Sequence, residues 1–75
     1  MPEACENIID TLVALRESKG MTQRDLAIAA NLAQPAIARL ESKNATPRLD
    51  TLVKVAAALG YSLELVPVAE GAHCI

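Results

Sequence analysis

Gln34 and Arg39 share the short run QPAIARLE, Gln34 to Glu41, and each carries a side chain shaped like the edge of a base. A glutamine amide holds a donor and an acceptor in one plane, which pairs bidentately with adenine N6 and N7 in the major groove. An arginine fork fits guanine O6 and N7, or a phosphate. Each such pairing discriminates against a wrong base by about 1–3 kcal/mol. The chemistry these residues can do is recognition of double-stranded DNA. Ala36, between them, can lie against a thymine methyl. Lys43, Asn44, Thr46 and Arg48 follow as candidate contacts to the DNA backbone, with Arg48 placed to approach the minor groove. A solvated polar loop would account equally well for those last four.

Catalysis fails on inventory. The single His, His73, sits in the tail, no Ser, His and acidic set is available, and no Gly-rich phosphate loop occurs. Cys5 and Cys74 lie near opposite ends without paired spacing, so reduced thiols are expected, with no metal, no other cofactor and no disulfide. No signal peptide is recognisable, and no apolar run nears the roughly 20 residues of a membrane span. A cytoplasmic protein with no membrane partner is the expectation.

The elements that would position these residues are helical. Ile9, Leu12, Val13 and Arg16 keep helical spacing over residues 5–19, acidic residues come early and basic ones late, and Gly20 provides the left-handed stop. Thr22 with Asp25 three residues on has the form of a capping box opening a second helix, 23–30, which ends at Asn31. Leu32 then plugs a turn too short for anything but a sharp reversal. A third helix starts near Ala33 or Gln34, where Pro35 suits the first turn, and it turns Ile37 and Leu40 inward. Gln34, Ala36, Arg39 and Lys43 are left for its outer side. After the polar loop 42–48, a fourth helix over 49–59 is expected to bury Leu49, Leu52, Val53, Ala56 and Leu59 before Gly60.

Beyond Gly60 the period changes. Tyr61, Leu63 and Leu65 alternate with Ser62 and Glu64, which is strand spacing, and Pro67 restricts such a strand to an edge. One strand in a helical chain has no partner, and its bare backbone and apolar side chains are costly to leave in water. Pairing of 61–68 with its counterpart in a second copy, through Tyr61, Leu63, Leu65 and Val66, is the simplest remedy. The expected organisation is one domain: a DNA-binding core over 5–60, a dimerisation strand over 61–68 and a tail over 69–75.

Composition agrees with that scheme. Of the 75 residues 52% are hydrophobic, with one Tyr and neither Trp nor Phe, so the core of a single small helical domain would be thin and would gain from a partner subunit. The net charge of −2 is poor for binding phosphate, but it is unevenly spread. Arg16, Lys19, Arg24, Arg39, Lys43 and Arg48 outnumber Glu17, Asp25 and Glu41 between 16 and 48, and the acidic excess lies in the flanks.

Over residues 8–60 the chain resembles the Cro/C1-type helix-turn-helix regulators of the XRE family. Arg16, the MTQRDLA run from Met21, Gln34, Ile37, Arg39 to Glu41, Pro47 and LDTLVKVAAALG from Leu49 carry the likeness. Within that family it looks most like antitoxins of the HigA and HipB kinds. The resemblance implies an all-α, lambda-repressor-like bundle of about four helices with a short C-terminal strand. Gln34 would then be the leading base reader, Gln23 with Thr22 would meet backbone phosphate, and Arg16 would pair with an acid such as Glu41 as scaffold. It also implies a homodimeric repressor on a palindromic operator, the antitoxin of a toxin–antitoxin pair regulating its own operon, with a cognate toxin as partner. A solitary or prophage repressor, or a module that chiefly docks on another protein, shares most of these residues. Three positions depart from the family pattern: Asn31 replaces a Gly in the turn, and Ala33 and Arg48 stand where capping residues are common.

Overall fold

The computed structural model describes residues 3–67, and in them four helices follow one another: α1 (Glu3–Ser18), α2 (Gln23–Ala30), α3 (Gln34–Ser42) and α4 (Leu49–Ala58). Glu3 and Glu6 in the first turn of α1 and Arg16 in its last oppose the helix dipole. The chain leaves α1 through Gly20 at φ 70°, and the Met21 N–H closes back on the Arg16 carbonyl at 3.1 Å.

The capping box at the head of α2 is formed in both directions. Thr22 Oγ1 accepts from the Asp25 N–H at 3.0 Å, and the Thr22 N–H donates to Asp25 Oδ2 at 3.0 Å. Asn31 ends α2 in the left-handed region at φ 58°, a conformation its short polar side chain tolerates. The Leu32 N–H then returns to the Ala27 carbonyl at 2.8 Å, so three residues suffice to reverse the chain into α3. Helix α3 lacks a side-chain cap because Ala33 has no acceptor to offer, and Lys43 closes it in the left-handed region at φ 60°. Gly60, at φ 86°, stops the chain after α4.

Among the described residues, eleven apolar ones form the core: Ile9 and Leu12 of α1, Leu26, Ala27 and Ala30 of α2, Ile37 and Leu40 of α3, then Leu52, Val55, Ala56 and Leu59. Helix α2 packs on α3 and α4, and α3 packs on α1, so the helix at the centre of the site is held on two sides. Ala at 27, 30 and 56 keeps the helices close, while Ile37, fully buried, contributes about 2 kcal/mol from its side chain alone. Leu32 is half-buried against this core. No helix of the described residues is long and apolar enough to cross a membrane.

Two expectations change. Leu49 and Val53 were expected inside, yet they are 71% and 47% exposed; Val55 is buried in their stead. So many residues of α4 are apolar that two helical faces qualify, and the one packed on α2 is that of Leu52, Val55, Ala56 and Leu59. Residues 61–67 form no strand: all described regular structure is helical. Leu63 rests against the core, whereas Tyr61, Leu65 and Val66 are exposed, as expected of a segment that lacks a partner strand. Val68 and the tail lie outside the described residues, as do His73 and Cys74.

Candidate nucleic-acid interface

Glu41 fixes the orientation of α3. Its carboxylate accepts from Arg16 Nε at 2.7 Å and from Arg16 Nη2 at 3.1 Å, and its Oε1 also accepts from Gln23 Nε2 at 3.0 Å. Arg16 Nη1 donates in turn to the Met21 carbonyl at 2.7 Å. The two side chains are 12% and 9% exposed, so this bidentate pair works at reduced dielectric, with α1, the turn after it, α2 and α3 all tied to one carboxylate. The expected scaffold role of Arg16 and Glu41 is realised in full.

With Ile37, Leu40 and Glu41 facing the protein, α3 presents Gln34, Pro35, Ala38 and Arg39 to solvent. The two expected base readers are therefore exposed on the free side of a helix whose other side is anchored. Ala36 is half-buried and lines, with Arg39, Thr46 and Arg48, a recess of about 210 Å³ between α3 and the loop leading to α4. The loop contributes exposed Asn44, Thr46 and Arg48 to this edge. Arg48 keeps its guanidinium in water, 84% exposed, while its Nε donates to Asp50 Oδ1 at 3.2 Å.

Four of the expected backbone contacts, Arg48 among them, already have protein partners. Gln23 is half-buried and its amide N–H is given to Glu41; the Thr22 hydroxyl accepts from the Asp25 amide; and Lys43 Nζ lies 2.7 Å from Asp10 Oδ1 on α1. Hydrogen bonds from the Thr22 backbone N–H and then its hydroxyl hold the Asp25 carboxyl below the usual carboxylate value. The bond to Asp10, with the charges of Asp10 and Glu6, raises the Lys43 ammonium above the usual lysine value. Asp10 escapes a reading of the sequence because it lies 33 residues from its partner.

At the head of α3 the backbone partly makes up for the missing side-chain cap. Pro35 has no N–H to satisfy, and the Ala36 N–H bonds back to the Ala33 carbonyl at 2.9 Å. The Gln34 amide is left as the donor without an intrahelical partner, at the positive end of the helix dipole, where an anion is favoured.

A family model described as helix-turn-helix matches residues 12–66. An "uncharacterized HTH-type transcriptional regulator" of Haemophilus influenzae is 38% identical over 60 residues, covering 80% of this chain and 61% of the relative. Antitoxin HigA1 of Mycobacterium tuberculosis is 33% identical over 64 residues, covering 85% of this chain and 43% of the relative. The chain thus spans 32% to 61% of the length of these curated relatives. Among solved structures, a chain of a "Toxin-Antitoxin module from Streptococcus pneumoniae" superposes with a TM-score of 0.75 at 37% identity, over 89% of this chain and 74% of the other.

Proposed function

The chain belongs to the helix-turn-helix family, and from that premise we propose that it is a sequence-specific DNA-binding regulator in which α3 enters the major groove. The observation that carries this is the pairing of opposite faces on α3: exposed Gln34 and Arg39 on one side, the Glu41 anchor on the other. Gln34 reads adenine, Arg39 reads guanine or grips a phosphate, and Ala36 packs on a thymine methyl. Asn44, Thr46 and Arg48 hold the DNA backbone, the last two from the recess, and the Gln34 amide receives a phosphate. Gln23 and Thr22 contribute chiefly through the frame they build around Glu41 and Asp25.

The working form is a homodimer on a palindromic operator, with recognition helices about 34 Å apart. Exposed Tyr61, Leu65 and Val66 are the surface that a second copy would cover, with the backbone of 61–68 paired across the two-fold axis. The likeness to HigA1 and to the pneumococcal module supports an antitoxin that binds a cognate toxin and represses the operon encoding both. No reaction is assigned to the protein. The likeness to proteins described only as transcriptional regulators favours a second reading, a solitary repressor; affinity purification that recovers no stoichiometric partner would select it.

Replacing Gln34 and Arg39 together with Ala should lower affinity for a duplex from upstream of its own gene by about 30-fold or more, since two base contacts of about 1–3 kcal/mol are lost. Circular dichroism should be unchanged, both residues being exposed. Equal gel-shift affinity of variant and wild type would reject α3 as the reader.

A further inference from the structure

Lys43 lies four residues beyond Arg39, so a continuous helix would carry its ammonium to the same edge of α3. Instead the backbone turns left-handed at Lys43, and the side chain crosses to α1, where Nζ meets Asp10 Oδ1 at 2.7 Å. Glu6, one helical turn before Asp10, adds its charge to the field on the same ammonium. Asn44, Ala45 and Thr46, immediately after Lys43, are exposed, the last two lining the recess; the Lys43 ammonium is drawn away from them onto α1, whereas Arg48, paired with Asp50, stays at the recess with its side chain 84% exposed.

We propose that Asp10 is a positioning residue that withholds Lys43 from DNA phosphate and thereby sets the strength and salt dependence of binding. The proposal rests on the DNA-binding function argued above. With Asp10 60% and Lys43 36% exposed, the ion pair is a surface pair, and such pairs are weak. Its grip is soft, and a phosphate can compete for the ammonium only by displacing a carboxylate. A chain of net charge −2 has few cations to spare, so each one withheld is felt: every phosphate neutralised steepens the dependence of log K on log salt by about 0.9. Asp10 therefore trades non-specific affinity for reliance on the base contacts of α3.

The test uses the full chain and one fixed mixed-sequence duplex, with binding measured between about 50 and 200 mM salt. Asp10→Asn should tighten binding by about two- to fivefold per subunit and steepen the salt slope by about 0.9 per subunit. Lys43→Gln in the same background should abolish both gains, and Lys43→Gln alone should leave the wild-type slope nearly unchanged. The thermal midpoint of Asp10→Asn should stay close to wild type, because the replaced group is exposed. Two results overturn the proposal while leaving DNA binding intact: an unchanged slope in Asp10→Asn, or gains that persist in Asp10→Asn/Lys43→Gln, which would assign the effect to the charge of Asp10 itself. Wild-type protein that binds neither this duplex nor one from upstream of its own gene at any of these salts removes the DNA-binding function, and this proposal with it.

Discussion

Glu41 does more for the site than any residue that would touch DNA. One carboxylate receives three hydrogen bonds from two side chains, and the arginine among them also reaches a backbone carbonyl. Glu41→Ala should cost about 3 kcal/mol in urea unfolding, because it leaves the guanidinium of Arg16, only 12% exposed, with only the more distant, solvated carboxylate of Glu17 at 3.8 Å. A loss below about 1 kcal/mol would mean that the pair is solvated and contributes little. Asp25 allows a test by pH. Its folded pKa is lowered, so the capping box contributes fully above the ordinary value of 3.8, and the contribution fades as pH falls below that toward the native value. Asp25→Asn should therefore lose less stability than wild type as the solution is taken from about pH 5 to about pH 2. Parallel acid curves for the two proteins would show that the carboxylate is not held in this way.

Among the elements, α2 and α3 differ in how they begin. Helix α2 has a reciprocal cap, whereas α3 relies on Pro35 and a short return bond to Ala33. Ala33→Ser would place a hydroxyl within reach of the Ala36 N–H and should stabilise the protein by about 0.5–1 kcal/mol, raising the thermal midpoint by about 2–8 °C for a chain of this size. An unchanged midpoint would show that the return bond already satisfies that donor. The beginnings and ends of helices are legible in the sequence because capping is local chemistry: Thr22 with Asp25, Gly20, Asn31 and Gly60 each announce a boundary that the structure places there. The inward face of α4 is not legible, since apolar residues crowd both candidate faces and only α2 decides between them. For the same reason the exposure of Gln34 and Arg39 can be anticipated from the pattern within α3, while the diversion of Gln23 and Lys43 cannot. Their partners lie 18 and 33 residues away and become neighbours only when the helices pack.

At the scale of the whole molecule, Tyr61, Leu65 and Val66 leave apolar side chains exposed in one short segment. Truncation after Gly60 would also remove Leu63 from the core, so the cleaner probe of association is Leu65→Asp/Val66→Asp, which alters side chains 102% and 74% exposed. Sedimentation should show a dimer for the wild type and a folded monomer for the variant; a variant that remains a tight dimer would move the interface elsewhere on the surface. The Leu49 and Val53 patch of α4 is then the next place to look. The three-element junction at Glu41 also divides α3 into unequal ends. Its C-terminal half is clamped to α1 and α2, while its first turn is held by a proline and one short bond. Local opening should therefore start at Gln34 and stop before Glu41, giving a gradient of amide-exchange protection along the helix. The end that meets the bases would be the last part of the molecule to become rigid, and its ordering entropy would be paid only on a sequence that repays it.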